Sequence, residues 1–247
     1  MPLKMLLFLW GIIFFIPKPK FQDEQVSAIK AVQIAPLLSP KTGKVLFYDT
    51  STVLIFHTKG LSIFKFDYRY DSVFKDTFKV ESRSHYFIYR NGEGSGIDYD
   101  FHKSLTGIKI SLDSFFRDKW CIQNKLYPIF GSENNITKLY SRKSGNADTL
   151  YESYLVKNKT GLTQTGHVEV VFCKSLNDLE FSLCKELDST MKMKLQQFRI
   201  TMDPIRINDT LTFEKFETFY RIDRLTEFNR QEVVDYINRF EKDSREK

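Results

Sequence analysis

Residues 86–102 read YFIYRNGEGSGIDYDFH and contain three glycines within five positions, flanked on both sides by alternating residues. A period of two between apolar and polar residues is typical of a strand with one buried face. A phosphate-binding loop would need a lysine after its last glycine and a helix beyond it, whereas the residues that follow alternate like a strand. The stretch therefore predicts a β-hairpin with strands near 84–90 and 97–103 and a glycine turn between them.

The position of the turn predicts which residues face each other across this hairpin. An even-numbered loop centred on Glu93 and Gly94 places His85 directly opposite His102. Asp98 and Asp100 then lie on the same face as the two histidines, and such a set binds zinc or iron or serves in acid–base catalysis. His85, His102, Asp98 and Asp100 are therefore a candidate metal site. The alternative is a polar, solvent-facing surface of the sheet.

Alternation recurs along the chain and predicts a mainly β protein. Aromatic residues make up 15% of the chain, which favours strands over helices. FKFDYRY at residues 64–70 places its aromatic residues on one face, and residues 149–157 and 167–174 predict a further strand pair. In MKMKLQQFRITM, residues 191–202, the apolar positions change phase near Gln196 and Gln197. That change requires a β-bulge or a break between two strands.

One convincing helix pattern lies at the C-terminal end, over residues 229–242. Asn229 fits the N-cap position, and Glu232 three residues later completes a capping-box pattern. A single apolar stripe follows, formed by Val233, Ile237 and Phe240.

Two polar stretches, at 131–147 and 203–210, are interpreted as loops and are too short and too unbiased to separate domains. The sequence therefore predicts one domain over residues 21–247. Its expected architecture is a single antiparallel β-sheet or half-barrel with a C-terminal α-helix.

The first twenty residues, MPLKMLLFLWGIIFFIPKPK, predict an export signal. A basic residue precedes an apolar run of 12 residues, which is too short to span a bilayer as a helix. The alternative is a buried N-terminal strand or core helix. We expect residues 1–20 to be a signal peptide and the protein to be exported, to the periplasm or the cell envelope.

Charge and motifs argue against several classes of function. The net charge is +6, and the lysines of the first twenty residues carry half of it. Acidic and basic residues are mixed elsewhere, so no nucleic-acid partner is expected. The chain has no nucleophile elbow, Walker loop, HExxH pair or dinucleotide fingerprint, and no cofactor is expected.

The cysteines are Cys121, Cys173 and Cys184, an odd number that leaves at least one without an intramolecular partner. Residues 174–183 lie between the last two. If this segment is a hairpin centred on Asp178 and Leu179, Cys173 faces Cys184 and a disulfide is a candidate. The alternative is two small side chains packed in a sheet.

Three stretches together resemble a family of exported Bacteroidota proteins of unknown function, similar to the GLPGLI family. They are the signal-like start, residues 68–100 with the glycine hairpin, and residues 178–200, DLEFSLCKELDSTMKMKLQQFRI. The resemblance implies export and a small β-rich domain, and it brings no catalytic residues with it.

Two functions of different class remain. The first is an exported, non-catalytic binding or structural protein, in which the many aromatic residues either enclose an apolar ligand or only fill the core. An envelope protein partner fits this function equally well. The alternative is a metal-dependent enzyme that uses the His85 and His102 face.

Overall fold

The structure is a computed structural model, and it describes residues 25–58, 60–74, 77–100, 106–118, 134–158 and 165–245. The predicted signal peptide lies outside the described residues, as do His102 and Cys121.

The described residues form thirteen strands, three α-helices and one short 3₁₀ helix. The strands are β1 Ser27–Leu38, β2 Val45–Thr58, β3 Leu61–Phe74, β4 Thr77–Arg90, β5 Ser95–Asp100, β6 Ile108–Ser111, β7 Asn134–Lys143, β8 Thr149–Asn158, β9 Thr165–Cys173, β10 Lys194–Met202, β11 Ile205–Arg206, β12 Thr212–Phe213 and β13 Phe216–Arg224. The helices are α1 Leu112–Asp118, α2 Lys185–Met191 and α3 Arg230–Arg245, and the 3₁₀ helix is Lys174–Leu176.

Eleven strands form one antiparallel sheet in the order β6-β5-β4-β3-β2-β1-β13-β10-β9-β8-β7, and the sheet does not close. Strands β1 to β6 run outward from the centre as one meander, and β7, β8, β9, β10 and β13 run inward as a second. The two meanders meet where β1 pairs with β13. Strands β11 and β12 form a separate small hairpin. The mainly β fold with one antiparallel sheet and a C-terminal helix is confirmed.

The glycine hairpin is confirmed as β4 and β5, but its predicted register is wrong. His85 lies opposite Asp100, where the sequence predicted His102, and Ile88 lies opposite Ile97. The turn is tighter than expected because Glu93 N–H bonds to the Arg90 carbonyl at 3.1 Å and β5 begins immediately afterwards, at Ser95. Since the shift is two residues, every described side chain keeps its predicted face.

Both faces of the sheet are largely buried around this hairpin, and the side that carries His85 and Asp98 is only partly open to solvent. We call the face that carries Val53, Phe64 and Phe87 the inner face, and the opposite one the outer face. Phe87 is buried on the inner face, two residues along the same strand from His85. The outer face of β2 to β5 is buried against α3 in a second core, formed by Phe56, Ile63, Tyr86, Ile88, Tyr99, Val233, Ile237 and Phe240.

Two segments that the sequence analysis did not identify cover the inner face. Helix α1 places Phe115 on Phe87, with ring centroids 3.7 Å apart. Residues 174–193, which we call the covering segment, lie over the other half of this core. Their buried apolar residues are Leu176, Leu179, Phe181, Leu183 and Met193. Asp188 fastens the segment to the sheet, since it accepts the Leu195 N–H at 2.6 Å and pairs with Lys194 at 3.3 Å.

The hairpin predicted between the last two cysteines is therefore wrong. Cys173 ends β9 opposite Thr149 and Lys194, and Cys184 directly precedes α2. A 3₁₀ helix and a turn replace the expected strand, and both thiols are buried and free. Burial raises the pKa of Cys184 above its usual range, which keeps this thiol protonated and unreactive.

Four further expectations can be compared directly with the structure. The bulge in β10 is confirmed, with the register shift between Leu195 and Gln197. Asn229 caps α3 as predicted and accepts the Glu232 N–H at 3.3 Å. The Glu232 carboxylate, however, does not complete a capping box, because it binds Lys65 at 2.7 Å and so ties α3 to β3. The stretch at 131–147 is not a loop, since it contains the edge strand β7.

Gly96 has no room for a side chain. A Cβ there would lie 2.5 Å from the Phe87 ring and 2.6 Å from the Ile88 carbonyl oxygen, which is backbone and cannot move aside. We expect Gly96→Ala to lower the free energy of unfolding by about 1–3 kcal/mol in urea titrations. Gly94→Ala is the matched control, because nothing lies within 4 Å of a Cβ at Gly94. Equal stability of the two variants would contradict this packing.

Candidate ligand-binding site

Side chains on the inner face become more exposed from one end of the strands to the other. Near the covering segment, Ala31 and Ile222 are buried. Two positions further along, Gln33 is buried and faces Tyr220, which is only partly buried and stacks on Phe198 with ring centroids 4.3 Å apart. Helix α1 and the covering segment cover the buried end of this face and leave the opposite end without a described cover.

At the open end, apolar inner-face residues lie on five neighbouring strands. We call these residues the rim row, and they are Phe47, Leu37, Phe216, Met202 and Gly166. They form two groups, since Leu37 pairs with Phe47, Met202 pairs with both Phe216 and Gly166, and the pairing of β1 with β13 ends earlier, at Ile34 opposite Phe219. Phe47 and Leu37 are 55% and 47% exposed, whereas Met202 and Phe216 are half-buried. The rim row contains no polar side chain, so it places apolar surface beside solvent.

The hairpin of β1 and β2 continues beyond the sheet and bears further exposed apolar residues. We call residues 35–48 and 205–213 the apolar arm. The second part packs on the first, since a Cβ added at Gly43 would lie 2.1 Å from the Thr212 carbonyl oxygen. The adjoining Glu214 accepts the Val45 N–H with its carboxylate and donates its own N–H to the Gly43 carbonyl at 3.1 Å. Leu46, Tyr48 and Ile207 are exposed in addition to the two rim residues of the arm. Apolar residues gathered at one place on a surface are typical of an interaction site.

His57 is the centre of a buried polar cluster at the covered end of the inner face. Its Nδ1 lies 2.9 Å from Ser62 Oγ, and Ser62 Oγ donates to Asn91 Oδ1 at 2.9 Å. If the Ser62 proton is directed to Asn91, His57 Nδ1 carries a proton and donates it to Ser62 Oγ. Nε2 has no hydrogen-bond partner in the described part of the chain. Burial, with help from the charge on Lys194, lowers the pKa of His57 to about 4.

This cluster does not form a catalytic triad. In a triad, the serine and the acid contact different nitrogens of the histidine ring. Here Glu180 Oε2 lies 3.5 Å from Nδ1, the same nitrogen that binds Ser62. Ser62 is also almost fully buried. The cluster connects the β2–β3 turn to the covering segment through Glu180, and its role is structural.

A second buried polar cluster surrounds Glu152 on β8, near the sheet edge. Lys138 Nζ donates to Glu152 at 2.6 Å, Ser141 Oγ donates at 3.1 Å, and the Tyr154 hydroxyl also donates to it. Burial alone would raise the pKa of Glu152, but these hydrogen bonds outweigh it and hold the pKa below its usual range. The carboxylate is therefore charged and fully engaged.

The structure brings together part of the predicted metal site. His85 Nε2 contacts Asp98 Oδ1, and the Asp100 backbone lies opposite His85. His102 lies outside the described residues, so the full set of four stays a prediction. Among the described residues, no group of three or more metal-binding side chains converges.

Comparison with known proteins returned no match: no family model, no curated protein and no solved structure is similar to this chain. The resemblance to the GLPGLI-like proteins stays a prediction. None of the helices in the described ranges is long and apolar enough to cross a membrane.

No local pattern in the sequence predicts the rim row, and the reason is physical. Its members come from five strands, and β1 and β13 lie at opposite ends of the chain. The alternation within each strand shows which residues share a face, but only long-range pairing aligns them into a row. The exposed pair Leu46 and Phe47 was a usable signal, because consecutive apolar residues near a turn are unusual on a solvated hairpin.

Protonation of His57 should make the protein less stable in acid. The folded pKa is about 4, below the ordinary 6.5, so the unfolded state binds the proton first as the pH falls. The stability that depends on neutral His57 is complete above pH 6.5 and is lost progressively towards pH 4. We expect a loss of about 3 kcal/mol from this group.

The measurement is the free energy of unfolding in urea between pH 7 and pH 4 for the wild type and His57→Gln. The variant should be less stable at pH 7 and should show a flatter pH dependence. His167→Gln is the control, because His167 is partly exposed and bonded to Ser153 at 2.7 Å. A pH dependence that is the same in the wild type and His57→Gln would contradict the assignment.

Proposed function

We propose that this is an exported, non-catalytic binding protein that holds an elongated apolar ligand along the rim row of its open sheet. The observation that carries the proposal is the rim row, in which apolar side chains from four strands lie beside solvent and Gly166 on a fifth strand adds no polar group. Apolar surface next to water is costly, and its cost is removed when an apolar ligand covers it.

The shape of the row suits an elongated ligand. The five strands that carry the rim row are neighbours in the sheet, and their four spacings of about 4.8 Å span about 19 Å. A ligand of this length would lie across the strands. Towards the interior it would meet partly buried apolar residues, Ile200 and Tyr220 among them. A single extended chain fits this arrangement better than a compact ring system does.

Export is part of the same proposal. It is supported by the N-terminal pattern, in which a basic residue precedes an apolar run of 12 residues. A periplasmic or envelope location is consistent with a carrier of apolar molecules, since such molecules need protection from water between membranes.

The ligand test uses N-phenyl-1-naphthylamine, a neutral probe whose fluorescence rises in an apolar environment. We expect the wild type to bind it and dodecanol to displace it more effectively than a compact alcohol such as adamantanol. Met202→Asn should weaken probe binding at least about tenfold, because it places an amide in the middle of the apolar row.

Thr201→Asn is the matched control. Thr201 is the neighbour of Met202 on β10 but points to the opposite face, where it donates a hydrogen bond to Glu217 at 3.2 Å. The Thr201→Asn substitution should leave the affinity for the probe unchanged. The proposal would be rejected if the wild type did not bind the probe, or if the two variants lost affinity for it equally.

A protein partner is the second candidate, and a separate observation favours it. Leu46 and Tyr48 are exposed on the apolar arm and are not members of the rim row, and Tyr48 lies on the opposite face of β2 from Phe47. Leu46→Asn should therefore leave probe binding intact. If Leu46→Asn and Met202→Asn weaken probe binding equally, the two surfaces are not separate sites.

A further inference from the structure

We propose a second binding site, for an anionic amphiphile, in the recess between the β7–β8 hairpin and helix α2. The recess has a volume of about 370 Å³, and three lysines lie around it: Lys143, Lys174 and Lys192. A ligand that matches it carries a phosphate, sulfate or carboxylate group on a short apolar body.

The three lysines are positioned by separate elements and converge on one space. Lys143 ends β7, Lys174 follows β9, and Lys192 follows α2. None of them forms an ion pair within the described ranges, although ion pairs are frequent elsewhere on this surface. Like charges brought together without a counter-ion repel one another, and a bound anion removes that repulsion.

The floor of the recess is apolar. It is formed by Leu150 and Met193, which are buried, and by Met191 at the end of α2. A free inorganic anion would use only the lysines at the mouth. An apolar group attached to the anion would also cover the methionine and leucine side chains, and methionine adapts its shape to such a group.

The single carboxylate of the recess does not cancel its charge. Glu152 lines the inner side, but its oxygens are engaged by Lys138, Ser141 and Tyr154. The charge of Glu152 is therefore already balanced by Lys138. The three remaining lysines leave the recess cationic.

This site is independent of the rim row. Leu150 lies at the covered end of β8, whereas the rim row crosses the open end of the neighbouring strands. The two sites therefore have different variants and different ligands. Failure of one experiment leaves the other proposal unaffected.

The experiment is isothermal titration calorimetry of the full protein with hexyl phosphate, inorganic phosphate and hexanol. We expect hexyl phosphate to bind at least about tenfold more tightly than inorganic phosphate, because its chain covers the apolar floor. Hexanol should bind weakest, since it lacks the charge. Added sodium chloride should weaken hexyl phosphate binding in the wild type.

The decisive variant is Lys143→Gln/Lys174→Gln/Lys192→Gln, which should lower the affinity for hexyl phosphate at least tenfold. The control is Lys44→Gln/Lys157→Gln/Lys215→Gln, which removes three exposed lysines outside the recess and should keep wild-type affinity. The single variants Lys143→Gln and Lys174→Gln, on different elements, serve if the triple variant does not fold, and each should weaken binding.

Three results would overturn the proposal. They are no binding of hexyl phosphate to the wild type, equal affinity of the wild type and the recess triple variant for hexyl phosphate, or an equal loss of affinity in the control triple variant. Met202→Asn must leave hexyl phosphate binding unchanged. A loss in that variant would place the anion at the rim row and would also reject the recess.

Discussion

The ladder between β1 and β13 holds the two halves of the sheet in one register, and the remaining structure depends on it. Its pairs run from Ile29 opposite Arg224 to Ile34 opposite Phe219 and join the two ends of the described chain. Closing so long a loop carries a high entropic cost before any contact compensates for it. Burial of the apolar residues that alternate along the strands provides that compensation. When β1 pairs with β13, the apolar sides of the two meanders form one continuous core.

An open sheet of this width cannot protect its own faces, and the chain covers them unevenly. On the inner face, α1 and the covering segment bury one end of the strands, and on the outer face α3 covers β2 to β5. Polar side chains hold these covers in place. Glu232 ties α3 to Lys65, and Asp188 ties the covering segment to β10. The ends of the strands without such a cover are where the apolar rim row meets solvent.

The sequence predicted the features that depend on local pattern and missed those that depend on distant packing. Alternation predicted the strands, the bulge in β10 and the C-terminal helix, since each is visible within about a dozen residues. Helices α1 and α2 have seven residues each, too few for a periodic pattern to stand out from a strand. The predicted register at His85 differs from the observed one by two residues because glycines allow several turn lengths. The burial of both faces depends on α1 and α3, which no local pattern near His85 shows.

Two buried polar groups of the inner face, His57 and Glu152, are poorly suited to acid–base catalysis. A general acid or base works best when its pKa lies near the working pH and it has a free path to substrate. The pKa of Glu152 is held low by three hydrogen bonds, and that of His57 is lowered by burial to about 4. Both groups therefore keep one protonation state near neutral pH. Their polar contacts connect neighbouring strands and hold the covering segment on the sheet. The apolar rim row and the three lysines of the recess lie beside solvent without such contacts, and they offer a ligand apolar contact and fixed positive charge.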